Sequence, residues 1–374
     1  GVAREDYWKV VDQCFMCDLC YQTKCPYVPP HEWNLDFPHV MLRAKAIQFK
    51  KGERKLSHKL ISNTKLQGAV GSLPVVSGAI NAANKVKGVR KVLEKTLDLD
   101  HRAHLPEFHS KTLRKREKDH TAAQHEVREA GSTRGKVALF ATCYGNRNDP
   151  KSGEDLVAVY RHNGIPVTTA EQEKCCGMPK LELGDLEAVA RSKEVNIPAL
   201  AKLVDQGWDI VAPVPSCVLM FKQELPLMYP DDPQVAKVRD AIYDPFEYLM
   251  LRHKYGKLNT DFKTPLGSVS YHAACHQRVQ RIGPKTREML ELVPGTEIDV
   301  IERCSGHDGT YAVKKETHEL SMKIARPVIK KVKDKAPDHY SSDCAMAGHQ
   351  IANGLDDGSE PEHPITLLRI AYGI

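Results

Sequence analysis

The feature that most restricts this chain is Cys175-Cys176-Gly177, inside the run Lys174–Pro179. Neighbouring cysteines are poorly placed to bond to each other, because a disulfide needs Cα atoms several ångströms apart with converging Cβ vectors. Both can face one metal centre where a glycine lets the backbone fold over the sulfurs. Cys143 lies upstream and Cys217 downstream, so four thiols from three segments can converge. The pattern then returns. Cys275, Cys304 and Cys344 repeat the order, with Cys304-Ser305-Gly306 standing where the first copy has Cys175-Cys176-Gly177. The near-constant spacing between copies reads as a duplicated domain.

The sequence around the cysteines repeats as well. Val137–Thr142 and Ser268–Ala274 read as strands that deliver a cysteine at their ends, and Ile210–Ser216 and His339–Asp343 do so for Cys217 and Cys344. Asp155–His162 and Leu186–Val204 read as helices in the first copy, Pro284–Leu292 and Glu316–Val332 in the second. This alternation predicts α/β units around parallel sheets, with 131–250 and 251–374 as the two copies. Cysteines at the carboxyl ends of strands sit where open α/β sheets bind ligands. Two copies facing each other would bring their sites to a shared pseudo-twofold interface.

A chain of 374 residues has room for two or three cores. Its net charge of +6 is modest and spread out, which argues against nucleic acid as a partner. The basic run Lys111–Lys118 reads as a solvated helix face. The eleven cysteines fall into three ligand-like groups behind no signal peptide, so the chain reads as cytoplasmic rather than as a secreted disulfide framework.

The first group is Cys14-Phe-Met-Cys17-Asp-Leu-Cys20, followed by Cys25-Pro26. Three cysteines at steps of three, then one before proline, resemble the bacterial ferredoxin run for a [4Fe–4S] cluster, with one extra residue between Cys20 and Cys25. Zinc sites use separated Cys-x-x-Cys pairs instead. In two-cluster ferredoxins the fourth cysteine serves the other cluster. The expectation is therefore that 1–50 is the C-terminal half of such a domain, cut through by the start of the chain. Residues 51–130 read as a helical connector. Within it, Leu66–Asn84 is uncharged but too broken by Pro74 and glycines to span a bilayer, and its lysine flanks suggest contact with a membrane surface or a partner. The five histidines from His101 to His125 show no metal-ligand spacing and read as surface residues. No Gly-x-Gly-x-x-Gly occurs, so flavin or nicotinamide chemistry is assigned to a partner.

With these motifs the chain resembles the cysteine-rich CCG-domain proteins, among them the heterodisulfide reductase B subunit and the anaerobic glycerol-3-phosphate dehydrogenase C subunit. Val214-Pro-Ser-Cys217 and Ile301-Glu-Arg-Cys-Ser-Gly-His-Asp-Gly309 carry the likeness to the second type. The resemblance implies a partial ferredoxin-like front followed by two tandem α/β CCG domains. It further implies an iron–sulfur electron-transfer subunit, with a flavoprotein dehydrogenase or a rubrerythrin-type acceptor as redox partner. Cofactor ligands would be Cys14, Cys17, Cys20 and Cys25 in front, Cys143, Cys175, Cys176 and Cys217 in copy one, and Cys275, Cys304 and Cys344 in copy two. The closing Cys-x-x-Cys of the disulfide-cleaving type is absent: Val214 and Met220 stand three residues either side of Cys217, and Ala347 three beyond Cys344. Copy two thus has three thiols and an open position, for which His272, His276, His307, Asp308 and Asp343 are candidate ligands or proton carriers. Two other readings stay open: a thiol, disulfide or peroxide-linked reductase at that position, and a zinc-stabilised interaction protein.

Overall fold

Two parallel sheets, each followed at its strand ends by short cysteine-bearing loops, form the frame. The computed structural model describes residues 3–17, 19–20, 25–28, 30–117, 126–170 and 174–374. The first sheet has the order β2-β1-β3-β4 and the second β6-β5-β7. In the first, β1 (Val137–Leu139) pairs in parallel with β2 (Val167–Thr169) and β3 (Asp209–Val211), and β3 with β4 (Ile242–Tyr243). In the second, β5 (Gly267–His272) lies between β6 (Thr296–Ile301) and β7 (His339–Ser342), again in parallel. β1 is a wholly buried apolar run, as a strand covered on both faces of a parallel sheet requires, whereas β5 carries Ser268, Ser270 and His272 and is buried over its last four residues.

The helices begin where the sequence supplies oxygen acceptors. Asp149 accepts from Ser152 N–H at the head of Pro150–His162, and Asp185 from Ala188 N–H at the head of Leu186–Asp205. Asp244 and Glu247 form a reciprocal capping box on Pro245–Lys254. Each cap satisfies backbone donors that the first helical turn leaves open. Pro226 has no N–H to give to the preceding turn, and the chain just before it, Met220–Glu224, winds as a π-helix.

One core joins the two copies. Leu139, Leu156, Tyr160 and Val211 of the first cluster with Val269, Tyr271, Ile365 and Leu368 of the second. Burying such side chains contributes about 1.5–3 kcal/mol each, so this shared seam fixes how the copies face. At its edge the fully buried carboxylate of Asp155 accepts from Thr366 Oγ1 at 2.6 Å and from Arg369 Nη1 at 2.6 Å. The helix Pro364–Tyr372 is thereby bonded to Pro150–His162.

The connector is helical and does more than connect. Leu66–Asn84 is divided into Thr64–Gly71 and Pro74–Asn84, the break falling just before Pro74. Arg90 donates to the carbonyls of Asp100 and Ala103 at 2.9 and 2.6 Å. Residues 98–100 in turn pair with the second copy through Asp100 N–H to Val313 O and Lys315 N–H to Asp98 O. The basic run holds a short helix, Leu113–Arg116; Lys118, His120 and His125 lie outside the described residues. His104 departs from the surface reading. Its ring stacks on His349 at 4.5 Å, and burial beside that ring lowers its pKa to about 4.

Candidate metal centre

All seven cysteines of the repeats follow the carboxyl ends of strands. Cys143 comes after β1, Cys175 and Cys176 after β2, and Cys217 after β3; Cys275, Cys304 and Cys344 come after β5, β6 and β7. In copy one Thr142 turns the chain with φ of 60°, a left-handed conformation that a β-branched residue rarely adopts, and its hydroxyl caps Gly145 N–H at 2.9 Å. The Cys175 loop is held by the buried amide of Asn196, which accepts from Lys174 N–H at 2.7 Å and donates to the Lys174 and Cys175 carbonyls. Gly177 takes φ of 109°, which favours glycine.

These turns bring Cys143 Sγ to 3.7 Å from Cys175 Sγ. Hydrogen bonds from Cys143 and Cys176, joined by the Thr64 hydroxyl and Gly177 N–H, outweigh burial and hold the Cys175 thiol well below its ordinary pKa. The Cys143 and Cys176 thiols, which donate to it, are pushed up. Thr64 comes from the connector, and no cysteine pattern pointed to it.

Copy two is arranged differently. Cys304 Sγ accepts from Gly306 N–H at 3.3 Å, and Gly306 has φ of 72° with Ser321 O where a Cβ would stand. Ser305 is buried. Burial raises the Cys275 thiol, with Cys17, Cys304 and Cys344 adding to it in that order. Cys17 of the front group is thus a neighbour of the second copy. Its own thiol is pushed up to about 12 by burial, with Cys304 and Asp308 adding to it. The loop carrying it is pinned there: Phe15 meets the Tyr311 ring edge-on at 4.5 Å, Tyr311 Oη donates to Gln13, and Lys45 Nζ donates to Cys14 O at 2.6 Å. Met16, with φ of 51°, turns the chain between Cys14 and Cys17. Cys20 is exposed and Cys25 half-buried, with Cys25 N–H donating to Cys20 O.

Both copies open onto one cavity of about 90 Å³. Cys143, Cys175, Cys176 and Cys217 line it from one side, Cys275 and Cys344 from the other, and Ser305 faces it in place of a thiol. Of the five candidates beside copy two, His272 is fully engaged, bonding Ser342 Oγ and Arg303 O at 2.9 Å each. Asp343 is engaged as well, accepting from Tyr271 Oη and from Thr286 Oγ1 at 2.8 Å. Both ring nitrogens of His272 are thus taken, whereas Asp343 keeps further acceptor capacity on its two carboxylate oxygens. His276 and His307 line the cavity, and the Nε2 atom of each is buried with no hydrogen-bond partner. Asp308 faces Glu182 of copy one. Burial and mutual repulsion hold Glu182 well above the carboxylate range and burial brings Asp308 to about 6, with Lys45 and Lys314 pulling down.

The donor set decides what fits. Tetrahedral zinc with Zn–S bonds near 2.3 Å needs four sulfurs mutually about 3.8 Å apart. Among the described residues, the one compact triad of possible ligand atoms is Glu94, Asp100 and His101, whose charges are already used in pairs with Arg102 and with one another. In copy one Cys143, Cys175, Cys176 and Cys217 follow one another in a chain of thiol contacts, with Cys275 and Cys344 on the opposite wall, an arrangement suited to a polynuclear thiolate-bound group.

Comparison with known proteins places both copies in one domain family. The model of the cysteine-rich (CCG) domain matches residues 137–222 and 269–352. The chain is 29% identical over 333 residues to the C subunit of the anaerobic glycerol-3-phosphate dehydrogenase of Escherichia coli (strain K12), covering 88% of this chain and 80% of that protein. It is 31% identical over 189 residues to lactate utilization protein A 1 of Bacillus cereus (strain AH820), covering 48% and 75%.

Proposed function

Because the chain belongs to the cysteine-rich CCG-domain family, we propose that it is the iron–sulfur electron-transfer subunit of an oxidoreductase complex. The observation that carries this reading is the convergence of two sets of cysteines on one cavity, with the front loop seated against the second set. Cys143, Cys175, Cys176 and Cys217 hold one group, and Cys275, Cys304 and Cys344 the other. Cys14, Cys17 and Cys20 belong to a ferredoxin-type [4Fe–4S] centre in front, with Cys25 serving its neighbour. Such a group, when bound, supplies a one-electron couple whose potential depends on charge, hydrogen bonds and exposure.

The chain's own residues then do the rest. Asn196, Gly177 and Thr64 orient Cys175, and Tyr311 and Lys45 fix the front loop. The redox partner is a flavoprotein dehydrogenase or a rubrerythrin-type acceptor. No helix among the described residues is long and apolar enough to cross a membrane. Exposed Leu56, Leu66, Leu73 and Val75, beside Lys55, Lys65 and Lys85, suit peripheral contact with an anionic membrane surface.

A second reading has one observation in its favour. Glu182 and Asp308, both with raised carboxyl pKa, line the cavity beside the thiols, where reduction of a thiol-derived or peroxide substrate would need a proton source. Anaerobic purification, with iron and sulfide per chain and electron paramagnetic resonance of the reduced protein, tests the main reading. Zinc without sulfide at the repeats would refute it.

A further inference from the structure

Copy two lacks the second thiol of the pair but carries an imidazole two residues further on. Cys304-Ser305-Gly306-His307 stands where copy one has Cys175-Cys176-Gly177-Met178, so a thiol is lost at Ser305 and a ring nitrogen is gained at His307 in place of a methionine. Ser305 and His307 both line the cavity. The turn between them is held in place. Gly306 takes φ of 72°, its N–H donates to Cys304 Sγ at 3.3 Å, and its carbonyl accepts from Ser321 Oγ at 2.7 Å. The Nε2 atom of His307 is buried and has no hydrogen-bond partner among the described residues. Buried polar atoms in folded proteins are almost always satisfied, so this nitrogen, on a residue that lines a thiol-bearing cavity, points to a bound group.

The other groups beside copy two are placed less well for this. Both ring nitrogens of His272 are taken by Ser342 and Arg303. His276 is held at Nδ1 by Ser216 Oγ at 2.7 Å, and its ring meets the Met16 backbone. Asp308 and Asp343 offer carboxylate oxygens, which suit hard cations, whereas imidazole and thiolate suit iron. Cys17 approaches Cys275 and Cys304 but belongs to the front centre in the reading above. We propose that His307 is the fourth protein ligand of the copy-two centre, completing Cys275, Cys304 and Cys344 through Nε2. The proposal rests on the iron–sulfur reading above. Each copy then supplies four donors, all thiolates in the first and three thiolates with one imidazole in the second. A neutral imidazole in place of a thiolate removes one negative charge from the centre, which raises its reduction potential.

Magnetic coupling between a ring nitrogen and the reduced centre reads the ligand directly. The anaerobic full chain, carrying nitrogen-15-labelled histidine and reduced with dithionite, should show one strongly coupled histidine nitrogen by electron spin-echo envelope modulation. His307→Cys, which keeps four ligands, should lose that coupling while iron and sulfide per chain stay at the parent value. One midpoint potential should fall in the same variant and the others stay in place. A side chain that only packed the loop would move neither. His276→Gln should keep the coupling. A coupling that survives in His307→Cys, or a parent that shows none with iron and sulfide filled and the centres reduced, would overturn the ligand and leave the iron–sulfur reading standing. Zinc without sulfide at both copies would overturn both.

Discussion

Removing the Asp155 carboxylate is the sharpest test of how the two copies are held. Its side chain is fully buried and accepts three short bonds, from Thr366 Oγ1, Arg369 Nη1 and Lys151 Nζ, each at 2.6 Å. Hydrogen bonds to a charged group contribute about 1.5–3 kcal/mol each when buried, and only the Thr366 bond is shielded throughout. Lys151 is 65% and Arg369 37% exposed, so solvent screening reduces their share to well under about 1 kcal/mol each. Asp155→Ala should therefore cost about 3 kcal/mol, with the orphaned Thr366 hydroxyl included. Asp155→Asn, which still accepts from Thr366, should cost about half of that.

The pH dependence has a definite sign. Burial pushes the carboxyl up, but the bonds from Lys151, Thr366 and Arg369 overcome it and hold the pKa below its ordinary value. A depressed folded-state pKa contributes stability that is present above about 3.9 and is lost as pH falls through the folded value. Urea midpoints at neutral pH for parent, Asp155→Ala, Thr366→Ala and the double variant give the coupling between helix and helix. Equal midpoints for parent and Asp155→Ala, or costs that simply add in the double variant, would refute the claim that this carboxylate ties the copies together.

His39 bonds both Asp36 and Glu224, and the Glu224 bond foremost raises its pKa to about 9. Its contribution should be complete below about 6.5 and fade as pH rises through about 9, so parent and His39→Phe should converge in urea midpoint toward pH 10. If the connector meets a membrane surface, flotation with anionic vesicles should weaken with salt and with Val75→Asp, and neutral vesicles should bind less; equal binding to both would exclude the charge component. Ser305→Cys should raise metal retention at copy two under a chelator, whereas Cys176→Ser should lower it at copy one, since a hydroxyl is a poor ligand for a soft centre; unchanged release rates would remove the asymmetry between the copies.

The order of the elements could be read from the sequence because each cysteine marks a strand end. Val137–Leu139 appears where an apolar run precedes Cys143 and Gly267–His272 where a mixed Val, Ser and Tyr run precedes Cys275, and the long helices 186–205 and 318–335 follow the 3.6-residue pattern. What lay out of reach is set by contacts distant in sequence. Thr64 belongs to Cys175 only because its helix packs on the first copy, and a threonine in a connector carries no signal of that. Glu182 looks like an ordinary surface acid until the copies face each other and set it beside Asp308. His272 stands close to a cysteine in sequence and reads as available, but Ser342 and Arg303 occupy both of its ring nitrogens. Proximity along the chain marked the right neighbourhood and left open which groups were free.

The bond from Arg369 to Asp155 also sets an order in time. Its two ends are 214 residues apart, and at about 5–20 residues per second a ribosome needs roughly 10–40 s to deliver the second after the first. Through that interval the first copy has its strands, its four cysteines and a buried aspartate with no partner on the far side. The cavity wall built by Cys275 and Cys344 does not yet exist, so Cys143, Cys175, Cys176 and Cys217 face an open half. A nascent chain thus leaves its first set of thiols without a facing wall until Cys344 has emerged.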